Sequence, residues 1–343
     1  MANLILHIGS EKTGTTSLQH FLMANSDKLL AKEYFIPQFL DPWGQGNHWL
    51  LAFMCYPPGF TDELVTSAIL DKLLSPAEVR RDTDAMLKSY ISKHGNKTWI
   101  ISSEHLHSRL CSIEDLYLLR STLNDLFDSV KIIIYLRHPL QAAISLWSTS
   151  VYYGQTYRVL PSPEVLAPIL NYHLVLSRWI SVFGYSSINV RIYDLSKLVN
   201  GNVIDDFCSF ISLDNIDSLA KPERINTSMS HKAISILSRL NARLPEQGSG
   251  GTNLERDRLA GLVKKYFSSY PKYLATRKDL VEFDAYYRES NEWLRETFFP
   301  WNNVLWPLVQ PCAEENEPLL TEDDLIWIEL VAELADTKPE CTL

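Results

Sequence analysis

The residues Gly9-Ser10-Glu11-Lys12-Thr13-Gly14-Thr15-Thr16 have the composition of a loop that binds phosphate. In the common P-loop, G-x-x-x-x-G-K-[ST], the lysine follows the second glycine. Here the two glycines keep that spacing, but Thr15 occupies the place of the lysine, which stands instead at position 12. Backbone N–H groups of such a loop bind anions, and the dipole of a following helix adds to the attraction. The stretch therefore predicts an anion site with Lys12 beside the bound group, or else a simple glycine-containing turn.

Another stretch, Leu136-Arg137-His138-Pro139, follows the most strand-like segment of the chain. P-loop ATPases usually carry an aspartate at such a strand end, where it holds Mg²⁺. Arginine binds phosphate through its planar fork and does not bind a metal. Ser145 follows on the second turn of the next predicted helix, so we expect Arg137 and Ser145 to converge on one phosphate, although an arginine in a salt bridge is the alternative. The two stretches together favour a ligand with two separated phosphate groups.

The elements that must position these residues alternate between strand and helix patterns. Short apolar runs predict strands, and apolar stripes at helical spacing predict helices between them. This order predicts an α/β fold, with a P-loop-type parallel sheet flanked by helices on both faces and a helix-rich C-terminal half. We expect one α/β domain over residues 1–312 and an acidic tail with a short helix over 313–343. The predicted strands are 4–8, 99–102, 131–136 and 188–193, and the clearest helices are 15–30, 75–94 and 113–126.

Composition limits the classes of function. The chain has 343 residues, 46% of them hydrophobic, and a net charge of −9. An acidic balance argues against nucleic acid and anionic membranes as partners, although a small basic pocket remains compatible with it. The five cysteines have no metal-binding or disulfide spacing. With no signal-peptide pattern and no long apolar run, we expect a soluble, cytoplasmic protein without membrane insertion.

The joint pattern resembles the sulfotransferase family, which uses 3′-phosphoadenosine 5′-phosphosulfate (PAPS), and its bacterial carbohydrate-type members in particular. The family's 5′ motif commonly reads P-K-[ST]-G-T-T, and here it stands as Glu11-Lys12-Thr13-Gly14-Thr15-Thr16. Its 3′ motif is an apolar strand followed by R-x-P and a serine, and here it runs from Tyr135 to Ser145, about 125 residues later. The resemblance covers residues 4–155 well and the rest weakly. Glu11 departs from it, since an uncharged residue is more usual there.

The resemblance implies roles for individual residues. Lys12 would lie beside the oxygen that bridges the sulfuryl group and the 5′-phosphate, and would stabilise the charge that develops there. The co-substrate would be PAPS, with 3′-phosphoadenosine 5′-phosphate (PAP) as product and no metal requirement. The 5′-phosphate would bind to the loop, and the 3′-phosphate to the strand-end arginine, the helix serine and a late polar loop. The implied cofactor-binding residues are Lys12, Thr13, Gly14, Thr15, Thr16, Ser17, Arg137, Ser145, Arg224, Asn226 and Ser228.

Transfer to a hydroxyl also needs a base that removes the acceptor's proton. Glu104 and His105 follow the second predicted strand, and neighbours on a strand point to opposite sides, so we expect only one to face the site. Glu104 is favoured over His105, and His48, in the aromatic loop around Trp49, is a third candidate for the base or for acceptor binding. The expected acceptor is a carbohydrate or a glycosylated small molecule.

Two other classes of function fit parts of the sequence. A P-loop kinase or NTPase with a displaced lysine would require Mg²⁺ and would bind ATP. A non-catalytic nucleotide-binding protein of the same fold would bind without turnover. The joint presence of Lys12, Arg137 and Ser145 favours the sulfotransferase.

Overall fold

The computed structural model describes residues 2–56, 75–222, 228–244, 247–248, 251–306 and 320–336. Its centre is a five-stranded sheet with the order β2-β3-β1-β4-β5, in which every pairing is parallel. The predicted α/β class with a parallel sheet is therefore confirmed. The strands are β1 (Ala2–His7), β2 (Tyr34–Phe35), β3 (Thr98–Ser102), β4 (Phe127–Leu136) and β5 (Ile188–Ile192).

Fourteen α-helices lie in the described residues. Those before β4 are α1 (Thr15–Ala24), α2 (Ser26–Leu30), α3 (Trp49–Met54), α4 (Pro76–His94), α5 (His105–Arg109) and α6 (Ile113–Asn124). Those that follow are α7 (Pro139–Tyr152), α8 (Pro163–Leu170), α9 (Tyr172–Phe183), α10 (Val203–Phe210), α11 (His231–Arg243), α12 (Leu254–Tyr266), α13 (Arg277–Phe298) and α14 (Glu322–Asp336). A two-stranded hairpin, β6 (Gln247–Gly248) with β7 (Gly251–Thr252), lies between α11 and α12 in the chain.

The chain divides into two compact units. The first comprises residues 1–137, 168–226 and 290–303, and the second comprises 138–167, 227–289 and 304–343. The five-stranded sheet lies in the first unit. The predicted division into 1–312 and 313–343 stays a prediction.

The core of the first unit forms because its strands alternate between two apolar faces. Ile5, Ile100 and Ile133 line one face of the sheet, and the buried stripe of α1 packs in the same cluster. That stripe is Leu18, Phe21 and Leu22, as the helical spacing predicts. Burying a side chain of this size stabilises the fold by about 1.5–3 kcal/mol. This packing anchors α1, and therefore the loop that precedes it, against the sheet.

The second unit has its own apolar cluster. Trp147 and Val151 of α7 pack there with Ala233, Ile236 and Leu237 of α11. Ser230 caps α11, because its hydroxyl accepts a hydrogen bond from the Ala233 N–H at 3.1 Å.

The prediction of one continuous helix over residues 15–30 is wrong. The helix breaks into α1 and α2 at Asn25, whose side-chain amide donates to the carbonyls of Phe21 and Ala220 at 2.8 and 2.9 Å. The N-cap residue of α1 is Gly14, and no side chain caps the start of the helix. The sequence shows neither the distant partner carbonyl nor the glycine conformation.

One segment of the described chain, Pro163–Phe183, is long and apolar enough to cross a membrane by length and composition alone. Two helices, α8 and α9, share this segment and meet at Asn171. The apolar stripe of α9, which includes Val175, Leu176 and Trp179, is buried in the protein. In the 18-residue apolar window of this segment, 33% is buried.

Candidate functional site

The glycine loop joins the end of β1 to the start of α1. This is the strand-to-helix context that an anion-binding loop needs, because the first N–H groups of a helix have no carbonyl partner within it. β1 lies in the middle of the sheet, with β3 on one side and β4 on the other. Ligands of open parallel sheets bind at the carboxyl ends of strands, where the direction of the connections reverses. The loop lies at that position.

The backbone of the loop turns through the left-handed region at Gly9, Lys12 and Gly14, where φ is 36°, 67° and 81°. A Cβ atom at Gly14 would lie 2.9 Å from Cγ1 of Val203, so both the conformation and the close packing require glycine. The Thr13 hydroxyl donates to the Ser10 carbonyl at 2.5 Å and braces the turn. Lys12 alone among these three turning residues carries a side chain, and an unfavourable backbone conformation of this kind is typical of functional sites.

Arg137 lies against this loop. One guanidinium nitrogen, Nη1, is 3.4 Å from the Lys12 carbonyl oxygen, and the Arg137 carbonyl accepts a hydrogen bond from the Tyr172 hydroxyl at 2.6 Å. Burial lowers the pKa of Arg137, while Tyr193, Tyr172 and Asp194 favour its charged form. An arginine stays charged under these conditions. The structure therefore brings the loop and the strand-end arginine, which are 125 residues apart, into one positively charged site.

Glu104 follows β3 and is the N-cap residue of α5. Its half-buried carboxylate accepts a hydrogen bond from Nε2 of Gln19 at 2.7 Å through Oε2. Desolvation raises the pKa of Glu104, and this effect is opposed by its own backbone N–H, by Gln19 and by the charges of Lys12 and Arg109. A carboxylate with a raised pKa is a stronger base than an exposed one, which suits it to removing a proton.

His105 is not the strand neighbour of Glu104 that the sequence suggested. β3 ends at Ser102, so the alternation of a strand does not apply to either residue. His105 is the first residue of α5 and is half-buried. The choice between Glu104 and His105 as the base therefore depends on the contacts that each side chain makes. The hydrogen bond from Gln19 favours Glu104 as the base.

His48 is fully buried and is bound to the end of β3. Its Nδ1 accepts a hydrogen bond from the Ser102 N–H at 2.9 Å, and its backbone N–H donates to the Ser102 carbonyl at 3.0 Å. Desolvation lowers the pKa of His48 to about 3, so the imidazole is neutral and its proton lies on Nε2. Because the lone pair of Nδ1 is already occupied, these contacts favour Glu104 over His48 as the base.

The remaining predicted ligands of the nucleotide lie in the second unit or outside the described residues. Ser145 lies on α7 in the second unit, where it is half-buried, and Ser228 is exposed in the same unit. Arg224 and Asn226 lie outside the described residues. The role of these four residues in binding the 3′-phosphate stays a prediction.

Within the described ranges, no group of three or more His, Cys, Asp or Glu side chains is arranged to hold a metal ion. Cys55, Cys111 and Cys208 are free thiols there. The other two cysteines, Cys312 and Cys341, lie outside those ranges.

Two residues of the site have no obvious signature in the sequence. His7 ends β1 beneath the loop; its Nδ1 lies 2.8 Å from the Ser102 hydroxyl, and a Cβ atom at Gly9 would meet its ring at 3.2 Å. Burial lowers the pKa of His7 to about 3. The other is Gln19, on the buried face of α1. A polar residue at a core position next to the glycine loop was the available signal for both.

Comparison with known proteins gives limited matches. No protein-family model matches the chain. A protein of Archaeoglobus fulgidus, described as uncharacterized, is 32% identical over 138 residues, which cover 39% of this chain and 36% of that protein. The match thus spans little more than a third of the relative's length.

Two solved structures are similar to this chain. One is a sulfotransferase from Alicyclobacillus acidocaldarius, with 16% identity, a TM-score of 0.40, and coverage of 84% of this chain and 96% of that one. The other is the sulfotransferase domain from the curacin biosynthetic pathway, with 16% identity, a TM-score of 0.36, and coverage of 80% and 99%. Such low identities and TM-scores carry no conclusion about activity, so the functional argument rests on the residues of this chain.

Proposed function

We propose that this protein is a PAPS-dependent sulfotransferase that acts on a hydroxyl of a carbohydrate or glycosylated small molecule. The observation that carries the proposal is the convergence of three groups in one unit: the glycine loop with Lys12, the strand-end Arg137, and Glu104. A polyanionic donor suits the loop and the arginine, and a hydroxyl acceptor requires the carboxylate.

The charged groups suit sulfuryl transfer better than phosphoryl transfer. A nucleotide triphosphatase holds Mg²⁺ with a strand-end aspartate, whereas β4 ends beside an arginine. In the proposed reaction the bond between sulfur and the bridging oxygen breaks, and negative charge develops on the 5′-phosphate oxygen. Lys12 stabilises that charge from within the loop, and Arg137 binds a second phosphate of the donor.

In the proposed reaction, Glu104 is the group that accepts the proton of the acceptor hydroxyl. As the acceptor oxygen forms its bond to sulfur, its O–H proton passes to the Glu104 carboxylate. The raised pKa of Glu104 makes that carboxylate a better proton acceptor near neutral pH. Lys12 and Glu104 interact electrostatically, so the acid–base group and the group that stabilises the leaving phosphate belong to one site.

An aromatic loop supports a sugar-like acceptor. The half-exposed Trp43 stacks on the buried Trp49, with ring centroids 4.5 Å apart and planes 23° from parallel. The same loop packs on α1, where a Cβ atom at Gly46 would lie 2.9 Å from the Gln19 carbonyl oxygen. A rigid aromatic face stacks on the apolar face of a sugar ring. The free thiols of the described cysteines support a cytoplasmic location.

The proposal is tested by transfer from ³⁵S-labelled PAPS to a panel of 4-nitrophenyl glycosides without added metal, in the presence of a chelator. We expect a labelled glycoside product with wild type, and a loss of about 10²–10³-fold in kcat with Glu104→Gln, which removes the base but keeps the shape. Glu114→Gln, on the exposed start of α6, is the matched control. Transfer of phosphate from ATP with Mg²⁺, and no transfer from PAPS, would favour a kinase instead.

A further inference from the structure

Gln19 is a buried polar residue on the apolar face of α1. Only 2% of its surface is exposed, and its neighbours in the stripe are Leu18, Phe21 and Leu22. A buried amide is costly to the fold unless it is hydrogen-bonded. Its Nε2 donates to Oε2 of Glu104 at 2.7 Å, a short bond to a charged acceptor across 85 residues of sequence. The core of α1 therefore contains a group whose identified partner is the candidate base.

The Gln19 backbone is itself held in place. The loop before α3 passes so close to it that a Cβ atom at Gly46 would lie 2.9 Å from the Gln19 carbonyl carbon and oxygen. That loop is closed by the buried Asp41 carboxylate, which accepts a hydrogen bond from the Gly46 N–H. Burial raises the pKa of Asp41, and further N–H groups of the same loop oppose that shift. Gln19 is thus fixed by the helix on one side and by this loop on the other.

The hydrogen bond from Gln19 occupies Oε2 of Glu104, and so it determines which carboxylate oxygen is left to accept a proton. A carboxylate on a flexible side chain samples several rotamers, whereas one with Oε2 bound to a fixed amide has a defined orientation. Since an amide N–H donates only to a lone pair, the bond also favours the ionised form that a base requires.

Other titratable groups lie on the elements around Glu104. Lys12 in the loop and Arg109 on α5 favour its charged form. His105 adjoins it in sequence, and Asp41 lies in the loop that packs on Gln19. The buried histidines of the neighbouring elements are neutral, because burial lowers the pKa of His7 and His48 to about 3 and that of His107 to about 4.

We propose that Gln19 is a positioning residue for sulfuryl transfer, whose side-chain amide orients the Glu104 carboxylate toward the acceptor hydroxyl and keeps it ionised. This inference rests on the proposed function. It gives α1 two roles, since its first turn follows the phosphate loop and its second turn supports the base.

The test is a direct titration of Glu104 in protein with ¹³C-labelled glutamate carboxyl groups, with the Glu104 signal assigned through Glu104→Gln. In Gln19→Met, which keeps the volume but removes the donor, we expect the pKa of Glu104 to rise by about one unit, because a hydrogen bond to the charged form is lost. With ³⁵S-labelled PAPS and 4-nitrophenyl glycosides, the acid limb of the kcat profile moves upward by the same amount, while KM for PAPS stays constant.

Asn25→Leu is the matched control. Asn25 is a buried, hydrogen-bonded amide at the C-terminal end of α1, and its partners are the carbonyls of Phe21 and Ala220. The Asn25→Leu variant should lower the melting temperature and leave both the Glu104 titration and the acid limb unchanged. If Gln19→Met does not fold, Gln19→Asn serves in its place, because it is one methylene too short to reach Glu104.

The outcomes separate this inference from the proposed function. An unchanged Glu104 titration in Gln19→Met, or an equal shift in Asn25→Leu, overturns the positioning role. If the wild-type protein transfers no label from PAPS, the proposed function is overturned. If the pKa of Glu104 nevertheless changes in Gln19→Met, the coupling between Gln19 and Glu104 holds without the proposed function.

Discussion

Two arginines at the ends of neighbouring strands have different surroundings. Arg191 on β5 forms a bidentate pair with the fully buried Asp206, in which Nη2 of Arg191 donates to Oδ1 of Asp206 at 2.6 Å. Asp206 also accepts hydrogen bonds from the Tyr135 hydroxyl at 2.8 Å and the Val199 N–H at 3.1 Å. Nη1 of Arg137, one residue beyond β4, lies 3.4 Å from the Lys12 carbonyl oxygen of the loop, and Tyr193, Tyr172 and Asp194 favour its charged form.

We interpret Arg191 as a charge that stabilises the fold, and in the proposed function Arg137 is a charge that binds the donor. The Arg191–Asp206 pair satisfies its charges within the fold, so removing Arg191 leaves the buried Asp206 carboxylate without its counter-charge. Around Arg137, Lys12 and Glu104 the fold fixes the backbone of the loop and one oxygen of the carboxylate, and it brings two positive side chains to the same loop. Such a site is suited to an anionic ligand from outside the protein.

The largest expected effect is on catalysis. Lys12→Met should lower kcat for transfer from PAPS by about 10²–10³-fold, because a preorganised charge at the leaving oxygen is lost. The fold should be unaffected, since methionine keeps the aliphatic length. Lys28→Met on α2 is the control, because that ammonium binds the Ser218 carbonyl at an exposed position. Equal losses in both variants would remove Lys12 from the chemistry.

Arg191→Met should act on stability instead. We expect the free energy of unfolding to fall by about 3 kcal/mol, since Asp206 is left as an uncompensated buried charge. Chemical denaturation measures the loss, and PAP binding by the folded protein should persist. Loss of PAP binding at unchanged stability would mean that the contrast between the two arginines is misassigned.

Arg137→Ala should act on ligand affinity. Calorimetry should show PAP binding weakened by about 10–100-fold, the magnitude of one charge-assisted contact. Affinity for adenosine 5′-monophosphate should change much less, because that ligand lacks the 3′-phosphate. A uniform loss for both ligands would place Arg137 at the 5′-phosphate.

The smallest expected effect, per pH unit, is on the pH dependence of stability. Burial lowers the pKa of His48 to about 3, below its unfolded value of 6.5, so the folded state binds fewer protons between these limits. Stability from this residue is fully present above pH 6.5 and is lost as pH falls toward 3, by up to about 1.4 kcal/mol per pH unit. In His48→Gln the slope of unfolding free energy against pH should be shallower over that window, while the acid limb of activity stays with Glu104. An unchanged slope would show that the imidazole is not buried neutral.

Local pattern was sufficient for most of the fold. The strand 131–136 and the helix 75–94 follow from β-branched residues and from a Ser-Pro start, and the structure has β4 and α4 there. The break at Asn25 could not be predicted, since the partner carbonyl of Ala220 lies 195 residues away. The hairpin within residues 245–253 depends on pairing that Gly and Ser composition does not encode.

The candidate site was predictable where a motif carried it. Lys12 and Arg137 follow from spacing and residue type, because a glycine loop and a strand end dictate their positions. The sequence favoured Glu104 over His48 as the base, but the physical grounds for that order, burial and the use of the imidazole Nδ1, depend on tertiary packing. Gln19 was missed because a glutamine within an apolar stripe, although visible in the sequence, does not indicate which distant residue it binds.

The most direct test of the central claim is calorimetric titration of the wild-type protein with PAP in the presence of a chelator, beside a titration with ATP and Mg²⁺. It requires no knowledge of the acceptor. The account predicts tight, metal-free binding of PAP and much weaker binding of ATP–Mg²⁺. Binding of ATP–Mg²⁺ together with indifference to PAP would contradict it.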